Sequence, residues 1–281
     1  MEDTWALDVD ARIAERPKGD AAPPAGDADG DDAPLEAATV LAVFDGHGGD
    51  GAAVLARDSA LLEAQATDAW KRGDAGAALS HAFRVLDWRL CVRLDETAGT
   101  TALVAVVRES GHVTLANCGD CRAIVVKRNG ATRAVTVDHS PETAEEQARI
   151  ASAGGVVSGD MVDGLLSVSR ALGDPEFKFG DGRTGWDESR EPEENDELPV
   201  AVVTSQPDIV ELDIADDDDL LLLASDGIWA VLSTERVGEI VHKALLDAVA
   251  GIEDAVDAVL AAAEEACTGD NSTVLLHRFA H

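Results

Sequence analysis

The stretch TTALVAVVRESGHVTLANCGDCRAIVVKRNGATRAVTV, Thr100–Val137, decides the fold class. It holds four short β-rich runs: Thr100–Val107, His112–Asn117, Arg122–Lys127 and Thr132–Val137. Turn residues separate them at Glu109–His112, Asn117–Cys121 and Arg128–Gly130. Runs this short, joined this tightly, predict an antiparallel meander, because parallel neighbours need a crossover of a dozen or more residues. Upstream, Val40–Phe44 reads as a buried strand. Two helices follow, Gly51–Arg72 and Asp74–Asp95, the second with Leu79, Phe83, Leu86, Leu90 and Leu94 at helical spacing. Downstream, Ser140-Pro141 predicts a helix start that Gly154-Gly155 closes. Strands are expected at Ala201–Thr204, Ile209–Leu212 and Leu220–Ala224, then helices at Thr234–Val249 and Ile252–Ala266, then a strand at Thr273–Phe279. Strands and helix pairs segregate instead of alternating, which predicts an α+β domain and not a doubly wound parallel sheet. Residues 17–38 and 175–199 read as loops, the second long, polar and acidic.

The chain has 281 residues, which suits one large domain or two small ones, and its 46% apolar and 27% charged residues are not a disordered composition. Met1–Asp10 has no basic or apolar leader character, and the strongly apolar run Leu220–Ala224 is too short to span a bilayer. Four cysteines without a framework spacing predict a reducing compartment, so an intracellular, cytoplasmic or nuclear, soluble protein is expected. The formal charge of −33 would repel phosphates, which argues against nucleic acid and membrane surfaces as partners and for attraction of cations. The DADGDD run at Asp27–Asp32 is not an EF-hand: its sixth position is Asp32 and its twelfth Ala38.

Three segments share one design: VFDGHGG at Val43–Gly49, LLLASDGIW at Leu221–Trp229 and TGDNSTVLL at Thr268–Leu276. Each sets an aspartate (Asp45, Asp226, Asp270) where an apolar strand meets a turn of small residues. One such aspartate is ordinary turn chemistry. Three near one another would repel, by about 4 kcal/mol per pair at 4 Å in an effective dielectric of 20. A divalent cation relieves that repulsion, and all-oxygen ligation points to Mg²⁺ or Mn²⁺ instead of zinc. Glu2, Asp3 and Asp120 are further acids whose placement the spacing alone leaves open.

The motifs together resemble the metal-dependent serine/threonine phosphatases of the PP2C (PPM) family. In family order they are MED at 1–3, VFDGHGG at 43–49, GTTA at 99–102, NCGDCRAIV at 117–125, DHSP at 138–141, RIASAGG at 149–155, LSVSRALGD at 166–174, ASDGIWAVLS at 224–233 and GDNSTVLL at 269–276. The resemblance implies two packed antiparallel β-sheets flanked by helix pairs, an α-β-β-α sandwich. It implies hydrolysis of phosphoserine and phosphothreonine in proteins by a metal-bridging hydroxide in a dinuclear Mg/Mn site. Asp45 resembles the acid that bridges both ions. The Gly46 carbonyl and Glu2 would serve one ion; Asp226 and Asp270 would serve the other. Asp3 resembles the acid that orients the attacking water, and His47 resembles the general acid at the leaving oxygen. Phosphorylated proteins are the implied partners, and a monomer is expected.

Other phosphatase chemistries fail on spacing. The sixth residues after Cys91, Cys118, Cys121 and Cys267 are Thr97, Ile124, Lys127 and Thr273, where a cysteine phosphatase needs Arg. Asp8-Val9-Asp10-Ala11 runs into Arg12, not the Thr or Val of an aspartyl-phosphate enzyme. The chain also departs from the family pattern. An Arg and a first strand are expected ahead of Glu2-Asp3, where the sequence starts at Met1, so that either it is truncated there or another Arg serves; Met161 stands where relatives often carry Arg; and Ala230 replaces an Asp that helps a third ion beside Asp120 and Asp226. These departures leave a second expectation open, a phosphatase-like scaffold that binds phosphoproteins or a regulator without turnover. A metal-buffering acidic protein would account for the charge but not for the ordered motifs. The acids of the 175–199 segment (Asp187, Glu188, Glu191, Glu193, Glu194, Asp196, Glu197) suggest a preference for basic residues around the target phosphate.

Overall fold

A computed structural model of the chain describes residues 3–14, 35–94, 97–178, 185–246 and 251–280. The strands of two main sheets are β1 (Thr4–Ala14), β2 (Leu35–Phe44), β3 (Ala102–Arg108), β4 (His112–Cys118), β5 (Arg122–Lys127), β6 (Thr132–Ala134), β7 (Asp208–Asp213), β8 (Asp218–Ala224) and β9 (Val274–Arg278). One sheet runs β1-β2-β3-β4-β7 and the other β9-β8-β5-β6. Every pairing within them is antiparallel. The main helices are α1 (Gly51–Ala66), α2 (Ala75–Trp88), α3 (Ala144–Ser152), α4 (Thr234–Leu245) and α5 (Ile252–Glu265).

Side-chain parity explains the layering. Successive strand residues face opposite sides. Val40, Ala42 and Phe44 of β2, with Val104 and Val106 of β3, pack on α1 and α2. The intervening Leu41, Val43, Leu103, Ala105 and Val107 meet Ala123, Val125, Leu221 and Leu223 of the second sheet. Its other parity, Ile124, Val126, Leu220 and Leu222, packs on Val237 and Val241 of α4 and Ala255 and Val259 of α5. The central strands β3 and β8 are largely apolar because both their faces are buried, whereas the edge strand β7 (DIVELD) stays partly exposed, and the four layers are helix, sheet, sheet, helix, as the motifs implied. On α1, Ala52, Ala56, Ala60 and Ala64 recur every fourth residue on the buried side.

Several boundaries differ from expectation. The helix expected at Gly51–Arg72 breaks at Thr67, whose hydroxyl donates to the Ala64 carbonyl and accepts from Trp70 N, so a new turn, Asp68–Lys71, begins. The expected Asp74–Asp95 helix is α2 followed by a π-turn at Arg89–Arg93; Asp95 lies outside the described residues. Ser140-Pro141 forms a turn, and Thr143 is the N-cap of α3, accepting from Glu146 N. Ala201–Thr204 is not a laddered strand: the Val202 and Val203 amides donate to the Lys178 and Phe177 carbonyls. Of the loop expected at 17–38, residues 35–38 belong to β2 and 17–34 lie outside the described residues. Among the described residues no helix is long and apolar enough to cross a membrane.

Candidate active site

The expected site residues that the structure describes include Asp45 and Asp226, which follow strands of the two different sheets. Asp45 follows β2. The Thr101 hydroxyl accepts from its amide at 3.2 Å, and its carbonyl accepts from Thr101 N at 2.9 Å and the Thr100 hydroxyl at 3.1 Å. Asp226 follows β8 and opens a single helical turn, Asp226–Trp229. Gly227 in that turn lies against the Asn271 carbonyl so closely that a Cβ would collide with it. Thr268 Oγ1 also donates to the Gly227 carbonyl at 2.8 Å. The close approach holds the Asp270 loop against the Asp226 turn, and Asp270 is an electrostatic neighbour of Asp226.

The acids of the two sheets meet. Asp45 is hydrogen-bonded to both Asp3 and Asp226. Burial first, then the charges of Asp3 and Asp226, push its carboxyl up to about 10. Burial raises Asp226 as well, although its hydrogen bond with Asp45 opposes the rise. Ser225, fully buried, donates to Asp3 Oδ2 at 2.8 Å and accepts from Thr273 N at 3.0 Å. It therefore joins the start of the chain to the Asp226 and Asp270 segments. Asp120, half-buried in the turn after β4, is pushed up to about 7 by burial and by Asp226. His139 Nδ1 accepts from Gly119 N at 3.1 Å and so fixes the backbone next to Asp120. Gly46 pairs with Thr100 across a short strand contact. Glu2 lies outside the described residues.

His47 is 28% exposed, and its Nε2 stands 2.8 Å from both carboxylate oxygens of Asp174. Asp174 closes the LSVSRALGD motif at 166–174. The Gly-Asp step that marks Asp270 in TGDNSTVLL recurs at Gly173-Asp174 and could have singled it out. Ser225 carried no such signal, since its contact to Asp3 spans 222 positions.

The residues fit a hard divalent cation by donor chemistry. The carboxylates in contact are oxygen donors, and the buried Asp226 Oδ1 has no hydrogen-bond partner. A buried carboxylate oxygen without a partner is costly unless a proton or cation meets it. Among the described residues no three His, Cys, Asp or Glu side chains are already gathered as a cation cage. Asp45 and Asp226 share a hydrogen bond with each other instead.

The acids of the 185–199 segment are largely spent within the chain. Glu191 pairs with Arg89, Asp187, Glu193 and Asp196 pair with Arg190, and Glu194 accepts from Ala69 N. Glu191 and Glu194 tie the segment to Arg89 and Ala69, and the Arg190 pairs brace it internally, which weakens the expectation that these acids select basic residues near a phosphate.

The sequence profile of the family described as protein phosphatase 2C matches residues 25–271. Protein phosphatase 2C homolog 2 of Aspergillus fumigatus is 34% identical over 206 residues, covering 72% of this chain and 44% of that protein. The homolog 2 of Schizosaccharomyces pombe is 33% identical, covering 85% of this chain and 63% of that protein. Probable protein phosphatase 2C 60 of Arabidopsis thaliana is 30% identical, covering 85% and 78%. The chain thus spans about half to two thirds of the fungal relatives' length. Among solved structures, a phosphatase from a pathogenic strain of Toxoplasma gondii superposes with a TM-score of 0.73 at 20% identity, over 99% of this chain and 97% of that one, a likeness of fold.

Proposed function

Because this chain belongs to the protein phosphatase 2C family, we propose that it hydrolyses phosphoserine and phosphothreonine in proteins with the help of Mg²⁺ or Mn²⁺. Asp45, Asp226, Asp270, the Gly46 carbonyl and Glu2 would hold two ions, with Asp120 beside them. Such ions, when bound, neutralise phosphate oxygens and lower the pKa of water, supplying a nucleophile at neutral pH. The observation that carries the reading is the contact of Asp3, Asp45 and Asp226 around the unpartnered Asp226 Oδ1.

The chain's own groups account for the remaining needs of the reaction. Asp3, its Oδ2 held by Ser225, accepts a hydrogen bond from the incoming water and aims it at phosphorus. As that oxygen bonds to phosphorus, the bond to the serine or threonine oxygen breaks on the opposite side. His47 delivers a proton to the departing oxygen, so that an alcohol leaves and inorganic phosphate remains. General acid help of this kind contributes about 10²–10⁴ in rate.

Phosphate release from a phosphothreonine peptide tests the reading. Turnover is expected with Mn²⁺ or Mg²⁺, none with EDTA, and at least about 100-fold less for Asp45→Asn. Peptide binding without phosphate release in the presence of either ion would overturn it.

A further inference from the structure

We propose that Asp174 is the positioning residue of the proton donor His47, and that the buried Asp87–Lys178 pair, reached by Trp186, holds Asp174 in place. The inference rests on the reading of His47 as the general acid of a phosphatase.

Three short strands set the geometry. Gly46–His47 pairs with Gly99–Thr100, which pairs in turn with Leu172–Gly173, so that His47, Gly99 and Gly173 stand abreast. Gly99 lies between His47 and the turn that carries Asp174. A Cβ there would fall inside the Asp174 carboxylate, so glycine is what lets that carboxylate reach the imidazole. Asp174 is 3% exposed. A carboxylate accepts hydrogen bonds, so Nε2 carries its proton toward Asp174. The proton available for transfer is then the one on Nδ1. It passes to the departing side-chain oxygen as the phosphorus–oxygen bond breaks, and the N–H electron pair stays on the ring.

The turn that carries this carboxylate is left-handed at both Gly173 and Asp174, at φ 83° and 53°, a conformation uncommon for residues with a Cβ but one that aspartate takes more readily than most. The surroundings are specific. Asp87 Oδ1 accepts from Gly173 N at 2.8 Å and pairs with Lys178 Nζ at 2.9 Å. Lys178 Nζ also donates to the Ala171 carbonyl at 2.8 Å. Both side chains are almost wholly buried. A buried ion pair is weak evidence for stability, since apolar residues of the same volume often serve as well. Here the pair clamps the backbone on both sides of Leu172, at the Ala171 carbonyl and the Gly173 amide, one residue before Asp174. From the acidic segment, Trp186 Nε1 donates to Asp87 Oδ2 at 3.1 Å, while Trp88 Nε1 donates to the Asp187 carbonyl at 2.9 Å. The 185–199 segment is thereby wired to the proton donor.

The test compares two substrates on the Mn²⁺-loaded protein. A phosphothreonine peptide leaves as an alkoxide that needs a proton; 4-nitrophenyl phosphate leaves as a phenolate that does not. For Asp174→Asn and for the double variant Asp87→Asn/Lys178→Gln, the peptide-to-aryl ratio of kcat should fall about 10- to 100-fold, with peptide KM within about threefold. Trp186→Phe, which keeps an aromatic side chain but removes the indole N–H donor, should lower the ratio about threefold even if the double variant does not fold. In ¹⁵N-labelled protein, the His47 Nε2–H resonance should sit downfield in the parent and move in Asp174→Asn. Equal losses on both substrates, or an unmoved resonance, would overturn the proposal and leave the phosphatase reading intact. A parent chain that turns over neither substrate would overturn both.

Discussion

At the scale of single residues, Asp45 stands out as a buried carboxyl in contact with two other acids. Burial and two neighbouring acids raise its carboxyl from an ordinary 3.8 to about 10. The unfolded chain gives up this proton near 3.8 while the folded chain keeps it, so without metal the folded state binds more protons across the window between. Stability must then fall as pH rises through that window. A divalent cation takes the proton's place, and its benefit grows with pH. In EDTA, calorimetry should find a lower Tm at pH 8 than at pH 5, with a larger Mn²⁺ increment at pH 8. Asp45→Asn should abolish the Mn²⁺ increment and raise the metal-free Tm at pH 8 by about 2–4 °C. A metal-free Tm that does not decline from pH 5 to pH 8 would count against this account. Asp45, Asp226 and Asp270 stood out in the sequence because an acid at the end of an apolar strand is conspicuous. Asp174 and Ser225 went without roles because their partners, His47 and Asp3, are brought to them only by the tertiary fold.

At the scale of elements, the turn at Asp226–Trp229 and the loop before β9 behave as one piece, joined where Gly227 touches the Asn271 carbonyl. Gly227→Ala should push the Asp270 loop outward. A calorimetric Mn²⁺ titration is expected to show at least about tenfold weaker binding, with a stability loss of about 1–3 kcal/mol by denaturant titration. Unchanged affinity would mean that the Asp270 loop moves independently of that turn. The meander from Thr100 onward was legible because alternation and turn chemistry are local. The break at Thr67 was not, since a threonine hydroxyl that satisfies Ala64 and Trp70 interrupts a pattern whose apolar period runs on. Ala201–Thr204 misled for the opposite reason: its β-branched residues suit a ladder, but the carbonyls that receive its amides belong to the turn Pro175–Lys178.

At the scale of the whole molecule, a formal charge of −33 acts against the compact state. Screening should relieve it: raising NaCl from about 20 to 500 mM should lift the metal-free Tm by about 2–5 °C, and a flat or falling response would show that local pairs, not net repulsion, dominate. The layering could be read from strand composition, because runs such as Leu220–Ala224 leave no face for water. The partners of each layer could not, since they depend on which sheet each run joins. The Ser225–Asp3 hydrogen bond bears on this scale too. It works as a buckle between the two halves of the sandwich, β1 belonging to one and the Asp226 turn to the other. A partly assembled chain with one sheet in place would hold only some of the acids, so hydrolytic power would arrive in a single step with complete docking and vanish with the first slippage between the halves.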